Sequence, residues 1–173
     1  MRNMWSSQFR SIHAAAVVAA LALSSNVGAQ ESNKELATAL KAKHVALATA
    51  VTAASAHGKP ISAKYEYEDG KLQLSVYTEK GGAFSEVIVN HTTGKVAKTE
   101  KITSGDDLKA AESQSAALAK AKASLSSALE KARAANAGYS AVSAIATVKD
   151  GKAVADITLM KGAEFKSVTQ PLE

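Results

Sequence analysis

Between Ile61 and Val96 apolar and polar residues alternate. Ile61, Ala63, Tyr65 and Tyr67 interleave with Ser62, Lys64, Glu66 and Glu68, then Leu72, Leu74, Val76 and Thr78 continue on the same side. This period of two predicts strands with one apolar face. Asp69-Gly70 between them suits a two-residue hairpin, because Gly takes positive φ without a Cβ clash. Lys80-Gly81-Gly82 is a second turn before Phe84–Val89. The pattern returns 81 residues later, where Lys149-Asp150-Gly151-Lys152, Ile157, Lys161-Gly162, Phe165 and Val168 match Glu68-Asp69-Gly70-Lys71, Val76, Lys80-Gly81, Phe84 and Val87 without a gap. In each copy Phe and Val stand three apart, so strict alternation keeps both from facing inward; either a β-bulge re-aims one side chain, which is the preferred expectation, or Phe84 belongs to the turn.

Helical spacing precedes each set of strands. Leu36, Leu40, Leu47, Val51 and Ala54 form one stripe after Ser32-Asn33-Lys34-Glu35, which reads as a capping box, and Gly58 with Pro60 closes the run. His44 falls within that stripe, where its ring would pack at a helix–sheet seam. Thr103–Asp107 marks the mid-chain break. Leu108, Ala111, Ser115, Leu118, Lys122, Leu125, Leu129 and Ala132 then recur at three and four residues, as one long helix or two consecutive ones. The expected fold is α+β, a tandem repeat of an amphipathic helix packed on a three-stranded antiparallel meander. The first repeat is expected at 30–102, with a helix over 32–57 and strands over 61–68, 71–79 and 83–90. The second is expected at 103–173, with a helix over 106–137 and strands over 140–149, 152–160 and 164–169. Lys95–Ile102 is expected either to prolong the third strand or to trail from it.

Arg2, Arg10, the apolar run Ala14–Leu23 and the small residues Val27-Gly28-Ala29 predict a signal peptide over 1–29, cleaved before Gln30, and a periplasmic or secreted protein. The apolar run is too short to span a bilayer. Loss of the two arginines lowers the net charge from +5 to +3 over 144 residues. Scattered lysines among acids, with no basic stripe, argue against nucleic acid. Absence of Cys excludes disulfides and thiol chemistry.

No catalytic motif is present. GxSxG, HExxH and Walker spacings are all missing, and no convergent acid–base set can be named. Neither a cofactor nor a metal is expected. A loose cation on Glu66 and Glu68, with His57 and His91 as remote ligands, is the weaker metal-binding alternative. Polar residues dominate the outward face of the first strands, where Tyr77 also lies. Ile145, Val154 and Met160 face outward from the second set and could meet the other half of the chain. Tyr77, Ile145, Val154 and Met160 are therefore the candidate interaction surface.

The segment V89NHTTGKV96, following helix and meander, resembles the PepSY domain, whose third strand ends in an Asp-x-x-Thr-Gly-x-Val-like signature. Asn90 stands at the usual Asp position, and Thr93, Gly94 and Val96 keep the rest. Physically, Asn90 can make a local side-chain turn bond and Gly94 can take the left-handed conformation. The resemblance covers 44–102, and reaches 125–172 only through the repeat. It implies a non-enzymatic periplasmic binding or regulatory module that modulates a peptidase or binds peptide. The expected partners are a periplasmic peptidase, a peptide or another envelope protein. The competing expectation is a structural or stress-related envelope protein acting through homo-oligomerisation.

Overall fold

A computed structural model describes residues 26–173; most of the expected signal peptide lies outside the described residues. In chain order the elements are α1 (Asn26–Ala39), α2 (Leu47–Ala54), β1 (Lys59–Glu68), β2 (Lys71–Lys80), β3 (Ala83–Val89), β4 (Val96–Ile102), α3 (Gly105–Ala119), α4 (Leu125–Ala134), β5 (Ser140–Lys149), β6 (Lys152–Lys161) and β7 (Glu164–Pro171).

The seven strands form one sheet in the order β4-β3-β2-β1-β5-β6-β7, and every neighbouring pair is antiparallel. This overturns the expected tandem repeat of helix-on-meander units. β1 and β5 pair directly, with Ser62 opposite Ile145, Ala63 opposite Ala144 and Lys64 opposite Ser143. Neither half has a sheet of its own, and β4 adds a strand that has no counterpart beyond β7. The matched residues of the two halves make matched turns. Asp69 and Gly70 take φ of 49° and 76°, and Asp150 and Gly151 take 50° and 77°. This likeness is local turn chemistry and does not divide the chain into two units.

The helices lie on both sides of the sheet. On the inner face, α2 and α4 pack side by side over the β1–β5 seam. They bury Leu47, Ala50, Val51, Ala54, Leu125, Ala128, Leu129 and Ala132. These cover Ala63, Leu74, Val76, Val87, Ala144, Ile157 and Leu159, all at most 1 % exposed. On the outer face, α3 packs across β2, β1, β5 and β6. Tyr77 follows Val76 on β2 and so points to the opposite side; its hydroxyl donates to Asp107 Oδ1 of α3 at 2.8 Å. Lys59 Nζ donates to the carbonyl of Leu118 at 3.2 Å, near the far end of α3.

The first long helix expected from the sequence is broken, and of the two readings of the second run the structure has two consecutive helices in place of one over 106–137. Residues 40–46 leave the helix to meet the β3–β4 turn. Val45 N–H donates to His91 O at 2.8 Å, and the Val45 carbonyl accepts from Tyr65 Oη at 2.6 Å. Ser32–Glu35 lies inside α1 and caps nothing. Between α3 and α4, Lys122 and Ala123 donate their N–H groups to Leu172 O at 2.7 and 3.0 Å. Ser124 then caps α4, its Oγ accepting from Ser127 N–H at 3.2 Å. In both breaks, partners far along the chain, in the β3–β4 turn, on β1 and just after β7, replace helical hydrogen bonds, so neither Gly nor Pro is needed.

The bulges also fall elsewhere than expected. β2–β3 runs in unbroken register from Ser75↔Ile88 to Lys80↔Ala83, and β6–β7 from Val154↔Pro171 to Lys161↔Glu164. Phe84 and Phe165 therefore face outward, opposite to Val87 and Val168. A sheet with a covered outer face has no need to turn them in. Register shifts occur instead between Pro60 and Ser62, between Ala141 and Ser143, and between Ile88 and Val89.

Because the halves share one core, urea should unfold the protein in a single transition, monitored by far-ultraviolet circular dichroism and tryptophan-independent near-ultraviolet signals of the buried tyrosines. Ala144→Leu, which forces extra volume under the α2–α4 pair, should lower stability by about 1–3 kcal/mol while keeping one transition. Two separable transitions would contradict the shared core.

Candidate functional site

The residues expected to form an interaction surface are mostly covered. Tyr77 is 5 % exposed, and Val154 and Met160 are each 8 % exposed; Ile145 is half-buried. They belong to the outer face of the sheet, which α3 crosses. Of the outward apolar positions noted in the sequence, Tyr77 is met by a helix of the same chain through Asp107.

A polar network shares this layer. Ser75 Oγ donates to Glu86 Oε1 at 2.7 Å, and Gln73 Nε2 donates to the same oxygen at 3.3 Å. Lys64 Nζ pairs with Glu66 at 2.6 Å and stands 6.0 Å from the centre of the Tyr77 ring. Strand alternation puts these side chains together: Ser75 lies opposite Lys64 and Tyr77 opposite Glu86. Burial raises the pKa of Glu86, and the Glu66 and Asp107 carboxylates push the same way; the Ser75 hydrogen bond and Lys64 pull it down. Burial likewise raises the Tyr77 phenol far above its usual value, helped by its bond to Asp107. On the inner face, burial pushes Tyr65 up to about 12. These groups satisfy one another. Neither Glu86 nor Tyr77 is turned toward a cleft by this geometry.

The family-signature residues form the β3–β4 turn. Asn90 Oδ1 accepts from the N–H groups of Thr92 and Thr93 at 3.0 and 2.9 Å. Gly94 has φ of 74°, and a Cβ there would stand 3.0 Å from Thr49 Cγ2. The turn is seated against α2 and its preceding connector, and Val96 begins β4. Asn90, Thr93 and Gly94 set the direction in which β4 leaves the turn.

The histidines among the described residues do not converge. His44 lies in the α1–α2 connector and meets the Tyr65 ring edge-on at 5.6 Å. His57 Nδ1 is 3.3 Å from Thr99 Oγ1. His91 Nδ1 is 3.4 Å from Thr92 Oγ1. Glu66 is engaged by Lys64, and no group of three or more His, Cys, Asp or Glu suited to a metal ion occurs among the described residues.

The strongest candidate for contact with another molecule is β4, which the sequence had left between strand and tail. It forms one edge of the sheet, and Ala97, Lys98, Thr99, Glu100 and Lys101 are all exposed. Asn90 N–H donates to Lys95 O across the turn at 2.8 Å. By alternation Ile88, Glu86 and Phe84 direct their main-chain groups to Lys98, Glu100 and Ile102. The main-chain groups of Thr99 and Lys101 consequently point away from the sheet. The opposite edge, β7, is closed at its C-terminal end. β7 ends in Pro171, and the α3–α4 connector is tied to the residue that follows it. The sequence signal for β4 was weak because Lys98, Glu100 and Lys101 mask its alternation.

No protein-family model, no curated protein and no solved structure matches this chain. Together with the single seven-stranded sheet, this corrects the PepSY resemblance: Asn90, Thr93, Gly94 and Val96 form a local turn and do not mark that family's repeated meander.

Removing the charge of Glu86 should change the pH profile of stability. The unfolded carboxyl titrates near the usual 4.5 and the folded one higher. Between those values the folded state retains a proton that the unfolded state has lost, so stability falls as pH rises through that window and stays lower above it. Glu86→Gln keeps an acceptor for Ser75 and Gln73. Thermal melts from pH 4 to 8 should show a flatter profile for this variant and an equal or higher midpoint at pH 7.

Proposed function

We propose that this protein is a non-enzymatic binding module whose contact is strand addition at the β4 edge. The carrying observation is the exposed β4 edge, with the main-chain groups of Thr99 and Lys101 directed outward and five consecutive exposed residues from Ala97 to Lys101. An added strand would pair with these groups, and the exposed side chains of β4 would select its sequence. Glu86 is engaged by Ser75 and Gln73, and Tyr77 by Asp107 of α3, which favours binding over acid–base chemistry. An extended peptide, or an extended segment of a peptidase or envelope protein, has the backbone form this edge accepts.

Export is part of the proposal and rests on the leader-like pattern of residues 1–29. The mature protein recovered from its native cell should begin at Gln30 by intact mass; a mass that includes the leader would contradict export.

Strand addition is tested by titrating a panel of extended peptides while following backbone amides by NMR. Shifts should concentrate in Val96–Ile102. Thr99→Pro removes an outward N–H while leaving the Lys98, Glu100 and Ile102 pairings to β3; it should retain the fold and weaken binding at least about tenfold. Shifts centred elsewhere, or no binding up to about millimolar peptide, would reject the reading.

A further inference from the structure

We infer that the strand which β4 accepts is β4 of a second copy of this chain, paired antiparallel about a two-fold axis at Thr99. This rests on the edge reading above and names its partner. The argument comes from the order of residues in the strand, V96-A-K-T-E-K-I102. An antiparallel pair of identical strands can meet only in registers that bring outward main-chain groups against outward main-chain groups. Outward groups fall on Thr99 and Lys101, so the axis passes through one residue, and the registers differ by whole residues along the strand.

With the axis at Thr99, the strand meets itself in sequence order, its regular stretch being Lys98–Ile102 because Ala97 sits at the register shift beside Val89. Val96 stands opposite Ile102, Ala97 opposite Lys101, Lys98 opposite Glu100, and Thr99 opposite itself. The symmetry produces the Lys98–Glu100 pair twice. Axes one residue away in either direction set Lys98 against Lys98 or Glu100 against Glu100. An axis at Lys101 opposes two lysines. Like charges directly opposite are unfavourable and unlike charges favourable. The strand's own charges therefore choose one register and reject its neighbours.

Side-chain direction agrees with this choice. Thr99 lies opposite Val87, while Lys98 and Glu100 lie opposite Ile88 and Glu86. Lys98 and Glu100 thus share the outer face, where they already pair within one strand at 2.7 Å. In the two-copy ladder, Thr99 would exchange both main-chain hydrogen bonds with its twin. Lys98 and Glu100 would fall at non-hydrogen-bonded positions, where opposing side chains come closest. Glu100 also faces Glu86 on the neighbouring strand, so a second lysine from the partner would offset that repulsion. Charged residues on an edge normally discourage pairing with unrelated strands; here the same residues admit one partner. A single pair of seven-residue strands makes a small interface, so a concentration-dependent dimer is expected.

Sedimentation velocity over a concentration series provides the test. The unmodified chain should associate to dimers. K98E sets acid against acid twice and E100K sets base against base twice, so each alone should weaken association at least about tenfold. An equimolar mixture of K98E and E100K should recover dimers, and so should the double variant K98E/E100K. Thermal melts verify that each variant is folded. A chain that stays monomeric to about millimolar, or dimers indifferent to the single reversals, would overturn the inference. In either case, peptide-induced amide shifts confined to β4 would leave strand addition standing; peptide shifts elsewhere would remove both.

Discussion

The ladder between β1 and β5 is the contact on which the rest of the architecture depends. Three residue pairs are in register there, fewer than in any of the hairpin ladders on either side. What strengthens this short seam is its setting. Ala63 and Ala144 face each other and are 1 % and 0 % exposed. Their small side chains let α2 and α4 approach the sheet closely, and those helices present Ala50, Ala54, Ala128 and Ala132 in return. Buried alanines contribute little apolar area each, so the helix pair compensates with Leu47, Val51, Leu125 and Leu129, which reach past the seam to the flanking strands. The join is thin in hydrogen bonds but well enclosed.

Enclosure continues on the other face, and this makes the molecule differ from a helix-on-sheet repeat. The central strands are buried on both sides around Ser75–Thr78 and Ala153–Ala155. Polar side chains on the outer face must therefore find partners inside the protein. Ser75, Gln73 and Glu86 do so among themselves, and Tyr77 does so through α3. Glu86 remains only partly compensated, which is why burial dominates its titration. The network fixes where α3 sits, since Tyr77 and Asp107 each lose a hydrogen bond if the helix slides.

Much of the local structure was legible in the chain. Asp69-Gly70 and Asp150-Gly151 declare their turns because the φ they need is costly for most other residues, and the alternation through Leu72–Thr78 shows in single letters. The helix breaks were not legible. Residues 40–46 carry no glycine or proline; they leave the helix because His91 and Tyr65 capture Val45, and both partners lie far along the chain. The break before α4 was half-written, since Ser124 is a good cap, but its other cause is Leu172. The pairing of β1 with β5 left no signature in periodicity, because a strand looks the same whether its neighbour comes from a hairpin or from the distant half. The outward Ile145, Val154 and Met160 were visible as a patch and Tyr77 as an outward aromatic; that α3 meets Tyr77 depends on how the chain travels, which no window of sequence contains. The candidate edge at β4 was obscured by its charges, although its self-complementary order is there to be read once the strand is known to be an edge.

The path of α3 has a kinetic consequence. It leaves β4 at one margin of the sheet, crosses the outer side over strands from both halves, and passes to the inner side beside β7. Its landing site does not exist until β5 and β6 have joined β1, a contact spanning roughly 80 residues of chain and thus entropically slow to close. The two hairpins can form early from neighbouring residues, but α3 must wait. During that interval the outer face around the Tyr77 ring lies open to water, so the nascent molecule passes through a sticky stage that its finished surface gives no hint of.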